Sequence, residues 1–265
     1  MKILFCLNKD IFSNIALNYL KDILENHKCY ITLSEGVGKP NSALNEVKLL
    51  EHSLPYQSLF PVIDNLNLNS KFYSFDRLAN KYLTPIIDLE GNINSKENQN
   101  YIANLELDLI VSIRYGQIFK DNIIDLPKHG ILNLHSGKLP DYRGIMASFQ
   151  ALLHDEKKLG TTLHYITDKN IDTGDIIDIA YINNDKQKSY FWHLDQLYIV
   201  GCSMLLKNIN EIALGSIPKG NSQSGKGKYF SVPTNAEIAK FHKKGYVFYS
   251  TEDYKEIIKK FIAND

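Results

Sequence analysis

The sequence predicts an α/β fold on a mostly parallel sheet, and three observations lead there. The first is the opening, KILFCL at 2–7, a helical stretch, then CYITLS at 29–34, a strand–helix–strand order. The second is the pair of apolar runs LELDLIVSI (105–113) and ILNLH (131–135), which read as buried strands. The third is GTTLHYITD (160–168) and DIIDIAYINN (175–184), two strands around a polar loop, followed by a long helix over 189–215.

The elements follow in order. After the first strand, Ile15, Tyr19 and Ile23 recur at helical spacing with Leu20 and Leu24, and Ser13 is placed to cap the start. Residues 34–47 read as a loop. Residues 47–66 are mixed, with the helical register broken at Pro55 and Pro61. The polar segment 90–100 belongs on the surface, and 121–130 forms a short helix and turn. GIMASFQALLHDEK (144–157) has the pattern of an amphipathic helix, and 216–233 is a Gly/Ser/Lys-rich connection. The tail is helix, turn, helix, with aromatics at Tyr246, Phe248 and Tyr249. A length of 265 residues suits a main domain over 1–215 and a small α+β extension over 216–265.

Composition narrows the function. With 44% hydrophobic and 23% charged residues the chain has the make-up of an ordinary soluble globular protein. Thirty basic and thirty acidic residues cancel, so no global field favours a nucleic acid or a membrane surface. No apolar stretch reaches the roughly 18 residues of a membrane span. The apolar start is too short for a secretory signal, which points to the cytoplasm. Cys6, Cys29 and Cys202 lack metal-ligand spacing and read as reduced thiols. The first strand-to-helix turn, LNKDIFSN, has no glycine, which disfavours a dinucleotide site and a nicotinamide dehydrogenase.

The chemistry concentrates in NLHSGKLPDYRG (133–144). Side chains two apart on a strand share a face, so Asn133 and His135 converge at the strand's carboxyl edge, where open α/β sheets bind ligands. Two such donors suit a developing oxyanion; a polar pair satisfying loop backbone is the equal alternative. HYITDKNIDTGDIID adds Asp168, Asp172 and Asp175 around a Thr-Gly turn. A carboxylate there can hold a histidine cationic and relay protons, or be a solvated turn acid. No histidine or cysteine spacing accompanies these acids, so no metal is expected.

Asn-x-His, then Ser-x-x-Leu-Pro and Tyr-Arg-Gly, then Gly-x-Thr-x-His and Asp-Thr-Gly, resembles the folate-dependent formyltransferases. The resemblance is firm over 105–180, loose over 1–34 and weak after 215. It implies a Rossmann-like sheet of the formyltransferase type and a one-carbon transferase with Asn133, His135 and Asp172 as catalytic residues. It implies 10-formyltetrahydrofolate as formyl donor, with Tyr115, Gln117, Ile118 and Phe119 of RYGQIFK on one side of the pterin and Ile166, Thr167 and Asp168 on the other. The loop from His164 to Asp172 is one residue longer than the family pattern, which bears on the pterin-side contacts.

Among acceptors, the sugar N-formyltransferases fit best. Only about fifty residues follow 215, where a methionyl-tRNA enzyme carries a longer RNA-binding barrel, and glycinamide ribonucleotide enzymes leave this tail unexplained. The family's deformylases carry an additional N-terminal regulatory domain. The resemblance therefore implies a dTDP-linked amino sugar, with dTDP-4-amino-4,6-dideoxyglucose foremost, a product for O-antigen or related lipopolysaccharide, and a homodimer. Lys9 and Arg143 are candidate diphosphate partners, and His164 is a further candidate beside the site. Formyltetrahydrofolate hydrolysis, a methionyl-tRNA formyltransferase-like activity and a non-catalytic nucleotide-sugar binder stand as alternatives.

Overall fold

The computed structural model describes residues 1–36, 38, 41–66, 68, 70–225 and 227–263. The first half runs β1 (Lys2–Asn8), α1 (Ile11–Tyr19), α2 (Lys21–Asn26), β2 (Lys28–Ser34), α3 (Asn45–Lys48), α4 (Phe60–Asn65), α5 (Phe75–Lys81), α6 (Lys96–Leu105) and β3 (Leu109–Ile113). Then come α7 (Asp121–Ile124), β4 (Ile131–His135), β5 (Arg143–Gly144), α8 (Ala147–Leu153), β6 (Lys158–Ile166) and β7 (Ile176–Asn183). The chain closes with α9 (Tyr190–Ala213), β8 (Tyr229–Phe230), α10 (Asn235–Lys243) and α11 (Thr251–Ile262).

Six strands form one sheet in the order β2-β1-β3-β4-β6-β7. The first four are parallel, and β6 and β7 add antiparallel to them. Alternation along β1 shows why both faces are covered. Ile3, Phe5 and Leu7 enter the larger core with α1 and α9 residues, while Leu4 and Cys6 join Ile102, Phe119 and Ile123 on the opposite side. β1 lies between β2 and β3, so the strand order reverses there and opens a crevice at the carboxyl ends of β1 and β3.

Four local readings change. Pro55 and Pro61 do not break the helix: Leu49–Ser53 and Pro55–Leu59 wind as π-turns between α3 and α4. A wider turn shifts the ladder past the N–H that proline lacks and clears its ring from the preceding carbonyl. Helix α8 is buried on every side rather than amphipathic, because the C-terminal segment covers the face that sequence reading turns to solvent. Asp10, not Ser13, caps α1, its Oδ1 accepting from the Ser13 N–H at 2.7 Å. The loop expected at 34–47 is shorter, with a 3-10 turn at Ser42–Leu44 leading into α3. Val37, Lys39 and Pro40 of that loop lie outside the described residues.

The C-terminal segment is built into the same core. Phe241 packs on Phe149 with centroids 4.7 Å apart, Phe248 stacks on Phe149 at 5.7 Å, and Phe261 meets Phe60 and Phe72. The connection at 216–233 carries β8, which pairs in parallel with β5.

Candidate active site

Sheet register assembles the site. Ser112 on β3, Asn133 on β4 and His164 on β6 lie in one row across three strands. The turn after β6 then folds back and brings Asp172 to the same place, where Asn133 Nδ2 and His164 Nε2 each lie 3.5 Å from Asp172 Oδ1. His135 Nδ1 lies 3.5 Å from Asp172 Oδ2. Asn133, His135, Asp172 and His164 therefore form one cluster. The Asp172 side chain is 9% exposed and that of His164 1%.

Burial works against the charge on Asp172. The facing His135, the His164 contact and the N–H of Gly144, which donates to Oδ2 at 2.8 Å, outweigh it and hold the carboxyl at about 2. The residue sits in the left-handed region with φ of 55°, a conformation that persists only when its surroundings over-determine it. Gly174 allows the backbone to close up behind it, since a Cβ there would lie 1.8 Å from the Tyr165 carbonyl oxygen.

Both ring nitrogens of His135 have defined neighbours. Nε2 lies 2.7 Å from the Tyr142 carbonyl oxygen, so it carries a hydrogen and donates it there. Nδ1, facing Asp172, is then the nitrogen that gains and loses a proton. His164 is read the same way: Nδ1 donates to the Tyr165 carbonyl at 2.8 Å, leaving Nε2, 3.0 Å from Asn133 Nδ2, as the variable one. When His164 is neutral, the Asn133 N–H groups point to Nε2 and to Asp172, and Oδ1 faces away from the cluster. His164 is thus buried behind Asn133, in contact with both it and Asp172.

The segment 114–120 leaves β3 beside this row. Arg114 has a positive φ of 57° and is tied down by Nε to Asp10 Oδ2 at 2.8 Å and Nη2 to Glu51 Oε1 at 3.3 Å. Burial pushes Glu51 up to about 7 against the pull of Arg114, with the charge on Asp10 adding to the rise. The Gly116 N–H donates to Ser34 Oγ at 2.8 Å, and a Cβ on Gly116 would lie 1.8 Å from the Gly36 carbonyl oxygen. Tyr115 stacks on Phe119, which is buried, with centroids 5.5 Å apart. Gln117 spends its amide on the neighbouring loop, accepting from the Ile93 N–H at 2.7 Å and donating to the Gly91 carbonyl at 3.0 Å. Ile118 and Thr167 are exposed, and Ile166 is half-buried. Asp168 organises its own turn, accepting from the Asn170 N–H at 2.7 Å.

Lys9 Nζ pairs with Glu35 at 3.0 Å, out at the rim. The backbone of Arg143 is fixed in β5, its N–H donating to the Lys228 carbonyl at 2.9 Å. Sequence reading missed Arg114, Glu51, the Gly144 amide and Gln223, whose Nε2 donates to the carbonyls of Asp172 at 2.9 Å and Gly174 at 2.8 Å. Arg114 stood in a segment already singled out; Gln223 lies in the Gly/Ser/Lys-rich connection and carries no motif.

Among the described residues no group of three or more His, Cys, Asp or Glu could hold a metal ion. No helix among them is long and apolar enough to cross a membrane.

Residues 84–190 match the family described as formyl transferase. A methionyl-tRNA formyltransferase of Fusobacterium nucleatum is 28% identical over 206 residues, covering 77% of this chain and 66% of its own length. The chain spans about half to two thirds of the length of the curated relatives it matches. Among solved structures, WlaRD, a sugar 3N-formyl transferase obtained with dTDP and 5-N-formyl-THF, superposes with a TM-score of 0.59. It is 23% identical, with 95% of this chain and 80% of that one covered. PseJ of Anoxybacillus kamchatkensis, in complex with UDP-4,6-dideoxy-4-formamido-L-AltNAc and tetrahydrofolate, superposes with a TM-score of 0.53 at 19% identity, covering 99% and 98%. These likenesses establish the shared fold.

Proposed function

We propose that this chain, whose residues 84–190 match the formyl transferase family, transfers a formyl group from 10-formyltetrahydrofolate to the amine of a nucleotide-linked amino sugar. The preferred acceptor is dTDP-4-amino-4,6-dideoxyglucose, the product serves surface polysaccharide such as O-antigen, and the enzyme works as a cytoplasmic homodimer. The observation that carries the reading is the closure of Asn133, His135 and Asp172 into one cluster from two separate segments.

The residues present suit the donor. Tyr115, Ile118 and Ile166 offer apolar surface for a flat ring, and Thr167, Asp168 and the 116–118 backbone offer polar atoms. The donor supplies a formyl carbon on a nitrogen that can depart. As the amine adds, negative charge gathers on the formyl oxygen and the amine nitrogen becomes acidic. His135 Nδ1 takes that proton, and Asp172, ionised far below neutrality, stabilises the resulting imidazolium. Asn133 meets the oxygen through the Nδ2 hydrogen that lies only loosely against Asp172 Oδ1, at 3.5 Å. The proton on His135 then passes to the departing nitrogen.

The sugar acceptor is supported by the alignment of WlaRD and PseJ over 95% and 99% of this chain. The zero net charge also weighs against an RNA partner. A methionyl-tRNA acceptor is the second reading, favoured by the names of the curated relatives. The test is purified protein with 10-formyltetrahydrofolate and a panel of dTDP- and UDP-amino sugars and methionyl-tRNA, read by mass spectrometry. A formyl-sized mass gain on a dTDP-4-amino sugar is the expected result. Gain on methionyl-tRNA alone selects the second reading, and formate release without an acceptor selects hydrolysis.

A further inference from the structure

The C-terminal connection runs along every wall of the Asp172 turn. The Tyr165 hydroxyl donates to the Pro218 carbonyl at 2.8 Å, and Asn221 and Ile176 exchange backbone hydrogen bonds at 2.8 and 2.9 Å. Gln223 Nε2 donates both its hydrogens, to the carbonyls of Asp172 and Gly174. Further on, the Lys228 and Phe230 carbonyls accept from the Arg143 and Ile145 N–H groups at 2.9 Å, fixing β5. β5 in turn presents the Gly144 N–H to Asp172 Oδ2. The segment thus grips Asp172 twice, through its own carbonyl and through the donor to its carboxylate.

Resting on the reading above, we propose that Gln223 is a positioning residue: it holds Asp172 in its left-handed conformation so that the carboxylate faces His135. Left-handed backbone at a non-glycine residue persists only under such constraint. No other side-chain amide donates to the Asp172 and Gly174 carbonyls among the described hydrogen bonds. Without it the turn relaxes, the 3.5 Å approach of Oδ2 to His135 Nδ1 lengthens, and the imidazolium loses its counter-charge. The groups facing that ring are Asp172 from the turn and the Tyr142 carbonyl from the loop before β5, with His164 on β6 facing the same carboxylate.

The test compares Gln223→Met, which keeps length but removes both donors, with Gln223→Lys, whose ammonium restores donation to carbonyls. Two readouts are taken on the full chain: kcat and KM for formyl transfer, and the pH midpoint of the His135 ring by NMR, which needs no turnover. The Met variant is expected to lose about tenfold in kcat with both KM values within about twofold, and its His135 midpoint moves to lower pH. The Lys variant recovers both. A Met variant with unchanged midpoint overturns the proposal, whatever its kcat, and so does a shifted midpoint with unchanged kcat. Should the Met variant fail to fold, Gln223→Ala takes its place: a lowered kcat and a lowered His135 midpoint uphold the role, and wild-type values of either overturn it. Should the wild-type chain transfer no formyl group, the enzyme reading fails, and the midpoint comparison alone still upholds or overturns the placement of Asp172.

Discussion

Replacing Asp172 by Asn removes a charge and little else. The Asn side chain keeps the shape of the carboxyl and can still accept from the Gly144 N–H. The magnitude follows from titration. A carboxyl that ionises near 2 in the folded chain and near 3.9 unfolded favours its charged form by about 3 kcal/mol. Its folded value is depressed, so the stabilisation is fully present above about pH 4 and lost as pH falls through 2. At neutral pH the variant therefore loses no more than about 3 kcal/mol of stability. Catalysis suffers too. His135 loses the counter-charge for its imidazolium, and proton transfer to the departing nitrogen is slowed as well. We expect kcat to fall by about 10²-fold or more, with the acid limb of its pH profile, set by the base His135, moving to lower pH. Stopped assays of formyl transfer between pH 5.5 and 9, beside urea melts, read both effects. A kcat within threefold of wild type, or an unmoved acid limb, refutes the role given to Asp172.

Other outcomes follow from the same geometry. Asn133→Ala and His135→Ala each lower kcat by about 10²–10³ with melting curves near wild type; a loss under tenfold removes that residue from the chemistry. Glu51 is protonated in the fold at pH values where the unfolded chain has lost that proton, so it makes stability fall as pH rises from about 4 to 7. Glu51→Gln removes that slope and gains up to about 3 kcal/mol over wild type at pH 8; parallel stability–pH curves for the two proteins exclude it. Cys6, Cys29 and Cys202 are buried and their thiols are pushed up, Cys29 to about 12. A disulfide reagent should leave all three unlabelled in the native chain and label them in urea; rapid native labelling contradicts this.

Much of the fold, and the convergence of Asn133, His135 and Asp172 on one place, was legible in the sequence, for identifiable reasons. Buried strands announce themselves as apolar runs, and Asn133 and His135 share a strand face by period-two geometry alone. The Thr-Gly turn between two pairing strands made Asp168, Asp172 and Asp175 candidates together, and the family resemblance singled out Asp172. What escaped depends on contacts far apart in the chain. Helix α8 reads as amphipathic until Phe241 and Phe248 arrive on Phe149 from ninety residues away. Pro55 signals a break because the rule assumes an α ladder, and the π-turn is a tertiary accommodation. His164 was legible only as a candidate beside the site; the register opposite Asn133 shows that it is buried behind it. Gln223 has no local signature, since its function is to reach carbonyls some fifty positions away.

The central claim is that the cluster moves a formyl carbon onto an amine. Its most direct test follows 10-formyltetrahydrofolate labelled with ¹³C in the formyl group, by NMR, with and without dTDP-4-amino-4,6-dideoxyglucose. The account predicts that the label appears as a sugar formamide only when the amine is present, and that Asp172→Asn slows its appearance. Label released as formate at the same rate with or without the amine contradicts it.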